Sequence, residues 1–458
     1  MKSKNLIRLA ALLVLLTLKG PLFAQFILSG EIREKPMFKD GYKVLKGPGD
    51  DGYVVNNQRV RLNTQFEKND MGFVVTIEDV RTWGESKANA TVNGLGLAKA
   101  YFYINFCKRF NFTIGRQTLD YDDGRYLTNS SWGDPTLAHD AFLFKFRTLD
   151  KRTAVDFGSA ISNGSDKSNF LTSYDVKNLY KYFVWAWAAH SFWDDDFKIS
   201  FLSATDFNQK AGNAHILYAR TALSAYFYLF SSHKVSGLVY AYGQWGHNRY
   251  GEQVAAYLAS AKVQYKMLPS LSLELAYDFV SGNDFSALGS SKNPSKNNLV
   301  VHGFDRFFGG SHGFLGYLDY FVPDGFRDIT QGAGLHQPYL RIKYQAFKKH
   351  NFELAGRYFA LAHPYIQDKS LKETDPNYGK FQKFSRNLGG EIDFLYTFQV
   401  REDFSIQAGY SFYLPTTTLE RLNGIAPKKS KFSEFAYLLL TYKPVLFDSE
   451  KHQRKHAK

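Results

Sequence analysis

Beyond its first two dozen residues the chain has no uninterrupted apolar run of the ~20 residues a membrane-spanning helix requires. It has a single cysteine, Cys107, which excludes an internal disulfide. No stretch rich in Pro, Gly or Ser divides its 458 residues into domains. Histidines do not cluster at metal-ligand spacing, and Gly94-Leu95-Gly96 lacks the third glycine and the strand-then-helix setting of a dinucleotide site. The acidic pairs Asp50-Asp51 and Asp122-Asp123 fit no complete calcium-loop spacing. No metal and no cofactor is called for.

What the chain has instead is alternation. Aromatic residues make up 17% of it, yet mean hydropathy is only −0.33, the balance expected when every second residue of a strand is polar. In residues 98–106, Ala98, Ala100, Phe102, Ile104 and Phe106 share one parity and Lys99, Tyr101, Tyr103 and Asn105 the other. Strand side chains alternate faces, so the first set meets lipid and the second lines a wet lumen.

The expected fold is therefore all-β, a transmembrane antiparallel β-barrel of about 18 strands with short periplasmic turns and long extracellular loops. Strands are expected near 26–35, 57–67, 72–82, 96–106, 110–120, 139–146, 153–161, 178–190, 197–205, 215–229, 235–245, 253–266, 271–280, 330–345, 351–361, 387–399, 403–414 and 433–443. Long loops fall near 36–56, 84–94, 121–138, 162–176, 206–214, 281–329, 362–386 and 415–432. The longest, 281–329, ends in aromatic residues and is expected to fold into or over the mouth.

Residues 1–24 read as a secretory signal peptide: Lys2, Lys4 and Arg8, an apolar stretch from Leu9 to Leu18, and cleavage after Ala24. Residues 25–447 form the barrel and 448–458 a basic periplasmic tail. The formal charge of +14 falls to +10 once Lys2, Lys4, Arg8 and Lys19 leave with the signal peptide. In a secreted barrel such a charge points away from nucleic acid and towards a passing anion or lipopolysaccharide.

Parity assigns the lumen charges. With Val60, Leu62 and Phe66 on the lipid side, Arg59 and Arg61 face inward; Leu28 and Ile32 outside place Glu31 and Arg33 inside; Leu340, Ile342 and Tyr344 outside place Arg341 and Lys343 inside. Lys99, Arg220, Lys262 and Arg357 complete nine inward bases, against inward Glu31, Glu274, Asp278, Glu353, Glu391 and Asp393. These charges either pair into ladders that hold the wall, or leave arginines unpaired as a constriction whose forks suit carboxylates. Arg116 shares a lipid-side parity with Ile114, so a β-bulge after Gly115 would be needed to turn it inward; otherwise it makes a salt bridge at the rim. Asp79 and Arg81 pose the same problem after Phe73, Val75 and Ile77. Tyr101, Tyr103, Tyr218, Tyr240 and Tyr339 face inward as well, where their rings can stack on sugars, although aromatic girdles are expected in any barrel.

The segment Gly115-Arg116-Gln117-Thr118-Leu119-Asp120-Tyr121-Asp122-Asp123-Gly124-Arg125, followed by Trp132 and Asp140, resembles the signature of the alginate export family of outer-membrane porins, with Asp122 where that motif has Gly. Phe304-Asp305, His312 to Asp319, Arg81-Thr82-Trp83-Gly84 and Tyr442-Lys443-Pro444 extend the resemblance over most of the chain. It implies an eighteen-stranded barrel with a basic lumen and passive export of the polyuronate alginate from a Gram-negative outer membrane. The surroundings and partners that follow are outer-membrane lipid and lipopolysaccharide, an anionic oligo- or polysaccharide, and the barrel-assembly machinery acting on a monomer.

A general diffusion porin without specific cargo has the same barrel. An outer-membrane enzyme or adhesin is a different class. His139-Asp140 near serines is its only catalytic hint, and neighbours on a strand point to opposite faces.

Overall fold

A computed structural model describes residues 24–87, 94–129, 132–162, 180–210, 213–288, 300–310, 312–325 and 327–450. The expected signal peptide, apart from Ala24, and the tail from Lys451 lie outside the described residues, as do most of the expected loop 162–176 and part of 84–94.

The wall begins with β1 (Ala24–Asp40), β2 (Tyr53–Lys68), β3 (Met71–Thr82), β4 (Leu95–Cys107), β5 (Phe110–Gln117) and β6 (His139–Arg147). It continues through β7 (Thr153–Ile161), β8 (Tyr182–Phe192), β9 (Phe197–Lys210), β10 (Asn213–Leu229), β11 (Val235–His247) and β12 (Gln253–Leu268). The rest are β13 (Leu271–Val280), β14 (Leu335–Ala346), β15 (His350–Leu361), β18 (Asn387–Arg401), β19 (Phe404–Pro415) and β20 (Ser433–Tyr442). Each strand pairs antiparallel with the next, and β20 pairs with β1 from Asp40↔Glu434 to Ile32↔Tyr442, closing an eighteen-stranded barrel. After Pro444 a short β21 (Val445–Asp448) prolongs that seam along β1. A hairpin of β16 (Tyr365–Gln367) and β17 (Phe381–Lys383) stands outside the wall. Closure leaves no unpaired edge, which an isolated wall in lipid requires.

All eighteen expected strands are present, and short turns alternate with longer connections at most positions. The long connections face outside and the short ones the periplasm. Several boundaries move: β1 runs on to Asp40 and β2 starts at Tyr53, so the expected loop 36–56 shortens to 41–52. The strand expected over 110–120 stops at Gln117, because Leu119 and Tyr121 leave the wall and are buried inside. Those expected from 178 and 330 start at Tyr182 and Leu335.

The expected loop 206–214 is mostly strand. Asp206 and Asn208 are buried on the lumen side of β9, and Asn213 pairs with Lys210, so polar residues that read as loop are inward strand positions. A second correction concerns Ala98. Thr76 pairs with Lys99 but Ile77 with Leu97, so a bulge leaves Ala98 without a partner and buries it. The lipid-side positions there become Leu95 and Leu97, both exposed.

Glycine and aromatic residues pair directly across strands. Gly72 faces Tyr103, Gly158 faces Trp185 and Gly409 faces Tyr437. In each case a Cβ on the glycine would overlap the partner's ring, so the ring lies across bare backbone. This fills the inner surface while letting bulky side chains lie flat along it.

The lumen is filled unevenly along its length. On β1 the inward Glu31, Arg33, Lys35 and Met37 are buried, whereas inward Gln25, Ile27 and Ser29, nearer the periplasm, are partly exposed. On β18 Glu391, Asp393 and Leu395 are buried and Thr397 and Gln399 are not. What covers the outer half is loop. The connection 118–138 and the long connection 281–334 turn inward and pack on each other, with Trp132 stacked on His312 at 3.6 Å, Tyr126 against Phe307 at 4.6 Å, and Leu127 bridged to Phe308.

Candidate functional site

The inward loops rest on charged wall residues. On β1 and β2, Arg33 donates to Asp134 Oδ1 at 2.6 Å and to the Gly133 carbonyl at 2.8 Å. Lys35 pairs with Asp134 at 2.9 Å and donates to the Trp132 carbonyl at 3.0 Å. Arg59 donates to Glu31 at 2.8 Å and to the carbonyls of Gly133 and Asp134 at 3.2 Å. Arg61 donates to Glu78 at 2.6 Å and also to Thr136, whose backbone N–H in turn donates to Glu78. Four consecutive inward bases thus clamp residues 132–136. Asp134 responds accordingly: burial alone would push its carboxyl up, but Lys35, Asn57 and Arg33 outweigh burial and hold it below the usual carboxylate range.

Other strands of the wall clamp the longer loop. Arg357, with a fully buried side chain, donates to Asp393 at 2.7 Å and to the carbonyls of Gly313 and Phe314 at 3.2 and 3.3 Å. Glu391 accepts from the backbone N–H groups of Tyr317 and Leu318. Arg220 bridges Asp206 at 3.2 Å and Asp305 at 2.6 Å and lies 4.0 Å over the Phe307 ring. Arg125, from loop 118–138, reaches Asp278 on β13 at 3.4 Å and packs on Phe314, joining both loops and the wall. Arg341 pairs with Glu274 at 3.3 Å and Glu353 at 3.8 Å, and Lys343 with Glu274 at 3.3 Å.

Of the two alternatives for the inward arginines, ion pairs that hold the wall and unpaired forks at a constriction, the structure has the pairs. Arg33, Arg59, Arg61, Arg220, Arg341 and Arg357 each meet a carboxylate, because acids at matching inward positions or on the loops come within reach. Burying such pairs is tolerated only when the remaining donors are satisfied, and loop carbonyls serve Arg33, Arg59 and Arg357 in this way.

The inward bases that make no ion pair among the described residues are lysines. Lys99 on β4 and Lys262 on β12 were expected in the lumen; Lys262 lies 5.6 Å over the Tyr240 ring. Lys39 on β1 and Lys198 on β9, over the Tyr42 and Tyr228 rings, are absent from the expected set, and so is Lys145 on β6. Its parity was readable, since Phe142 and Phe144 on the same strand are exposed to lipid while Leu143 is buried inside.

Arg116 is also corrected. Its register runs without a bulge through Phe102↔Ile114 and Ala100↔Arg116, and it pairs with Asp140 at 3.5 Å on the outer parity of Phe142 and Phe144. It is a rim salt bridge. Asp79 and Arg81 form another at 2.5 Å. His139 is buried with its Nδ1 2.7 Å from the Tyr180 hydroxyl, and Asp140 points to the other face.

The Alginate export family model matches residues 25–428. No curated protein matches the chain. Among solved structures the barrel is similar to OccK11 (OpdR) of Pseudomonas aeruginosa, with a TM-score of 0.58 at 11% identity over 92% of this chain and 96% of that one. OccK1 (OpdK) of the same organism gives 0.55 at 8% identity over 92% and 98%. OccAB4 of Acinetobacter baumannii gives 0.56 at 9% identity over 93% and 99%. At these identities the likeness establishes the barrel fold.

Proposed function

We propose, from the premise that the chain belongs to the alginate export family, that this outer-membrane barrel is a passive channel for anionic carbohydrate in which lysines, more than arginines, set the anion path. One observation carries the reading. Every inward arginine named above is already held by a carboxylate, whereas Lys99 and Lys262 make no ion pair among the described residues. An ammonium without a carboxylate partner binds a passing carboxylate loosely enough to release it.

The test is reversal-potential measurement in planar bilayers under a salt gradient. Native protein is expected to pass anions in preference to cations and to be blocked by added oligouronate, and Lys99→Gln/Lys262→Gln to lose much of both. Native currents indifferent to ion sign and to oligouronate would instead make the protein a general diffusion porin. A barrel that inserts but passes no current would return the reading to a display scaffold.

A further inference from the structure

The periplasmic half of the lumen holds a cleft apart from the clamped loops. It occupies about 380 Å³ along the inner face of β4, β5 and β6, within the range of small-ligand sites. Its inward positions come in cross-strand pairs: Tyr103 opposite Thr113, Asn105 opposite Asn111, and Asn111 opposite Lys145. Tyr101 and Tyr103 present partly exposed rings, and Tyr103 is fixed in place by lying across Gly72 and donating to Glu67 at 2.6 Å. Asn111 donates to Asn105 at 2.8 Å, which orients both amides. Lys145 makes no ion pair or hydrogen bond among the described residues. Arg147, whose side chain is 39% exposed, pairs with Asp156 on the wall.

Flat rings, amides and the cations of Lys108, Arg109, Lys145 and Arg147 in one cleft are the groups that recognise a carboxylated sugar. The rings cover the C–H face of a pyranose, the amides meet its hydroxyls, and the ammonium meets its carboxylate. The geometry points to a loading subsite for one uronate unit of a chain entering from the periplasm, with Lys145 as the carboxylate contact and Tyr101 and Tyr103 as the stacking platform. The assignment rests on the channel reading and adds to it a place, on the periplasmic side, where the polymer first binds.

Cys107 lines the same cleft, is exposed, and is the only cysteine in the chain, so it reports on occupancy without mutation. Maleimide labelling of Cys107 in detergent-solubilised native protein is measured with increasing oligomannuronate, and with maltohexaose as the neutral control. Oligomannuronate is expected to slow labelling several-fold and maltohexaose to leave it unchanged. Lys145→Gln and Tyr103→Ala, each confirmed as folded by heat-modifiable mobility, are expected to label at the same rate with and without oligomannuronate. Unaltered labelling of the native protein, equal protection by both sugars, or full protection in both folded variants overturns the subsite. Bilayer currents on the same preparations separate the two readings: conductance without protection removes the subsite alone, and protection without conductance removes the channel and leaves the site.

Discussion

The Trp132 indole lies on the His312 imidazole at 3.6 Å with 8° between the planes, and so fastens the loop after β5 to the loop after β13. His312 is fixed by Asp319 at 3.0 Å, Asp319 accepts from Tyr42 at 2.6 Å, and Lys35 sits 4.4 Å over the indole. One stacked pair thus ties both inward loops to β1 and the first extracellular turn. Trp132→Ala removes this clasp at a cost of about 3 kcal/mol to loop docking. Single-channel recordings should show larger, noisier openings while the barrel itself still resists heat in SDS.

Arg357 and Asp393 form a buried pair that also carries the carbonyls of Gly313 and Phe314. Arg357→Met leaves Asp393 buried without its cation and is expected to destabilise by about 3–5 kcal/mol. Asp393→Asn combined with it should recover part of the loss, giving a coupling that urea titrations of detergent-folded protein can read. Because the double change leaves net charge unaltered, ion selectivity should move far less than in Lys99→Gln/Lys262→Gln.

Gly409 faces Tyr437 so closely that any side chain must displace the ring. Gly409→Ala should cost about 1–3 kcal/mol by overpacking. In a Tyr437→Leu background the same substitution should cost clearly less, as measured by the urea midpoint.

Asp134 is held below the usual carboxylate range, with burial outweighed by Lys35, Asn57 and Arg33. Its folded value is depressed, so its contribution to docking of loop 118–138 is complete above the unfolded value of 3.8 and is lost as pH falls through the lower folded value. Openings should therefore stay quiet at neutral pH and become noisy as pH falls through that lower folded value, whereas Asp134→Asn should be noisy throughout. Native recordings that stay quiet through an acid titration would show that the loop is held elsewhere.

Strand number and lumen parity were legible because period-two alternation is a local property: Phe142, Lys145 and Arg341 declare their faces from their neighbours alone. Ala98 was misplaced because a one-residue bulge leaves no mark in composition and flips parity on one side only. Asp206 and Asn208 read as loop because an inward polar strand residue and a loop residue look alike when the lumen supplies the polarity. Arg33, Arg59 and Arg357 face inward as their parity predicts, but their partners Asp134, Gly133 and Gly313 lie on loops far away in sequence. No spacing rule reaches those contacts, so a clamp and an open constriction were indistinguishable. Lys145 follows from the same parity rule, lying on the face opposite Phe142 and Phe144.

The lumen is open and half-exposed towards the periplasm and packed by two clamped loops towards the exterior, and this shape acts on a polymer regardless of its charge. A chain entering from the wide end surrenders its conformational freedom over the length of the barrel, while one arriving from outside must straighten at the opening. Under equal driving force a long chain is therefore expected to be captured more often from the periplasmic side than from outside.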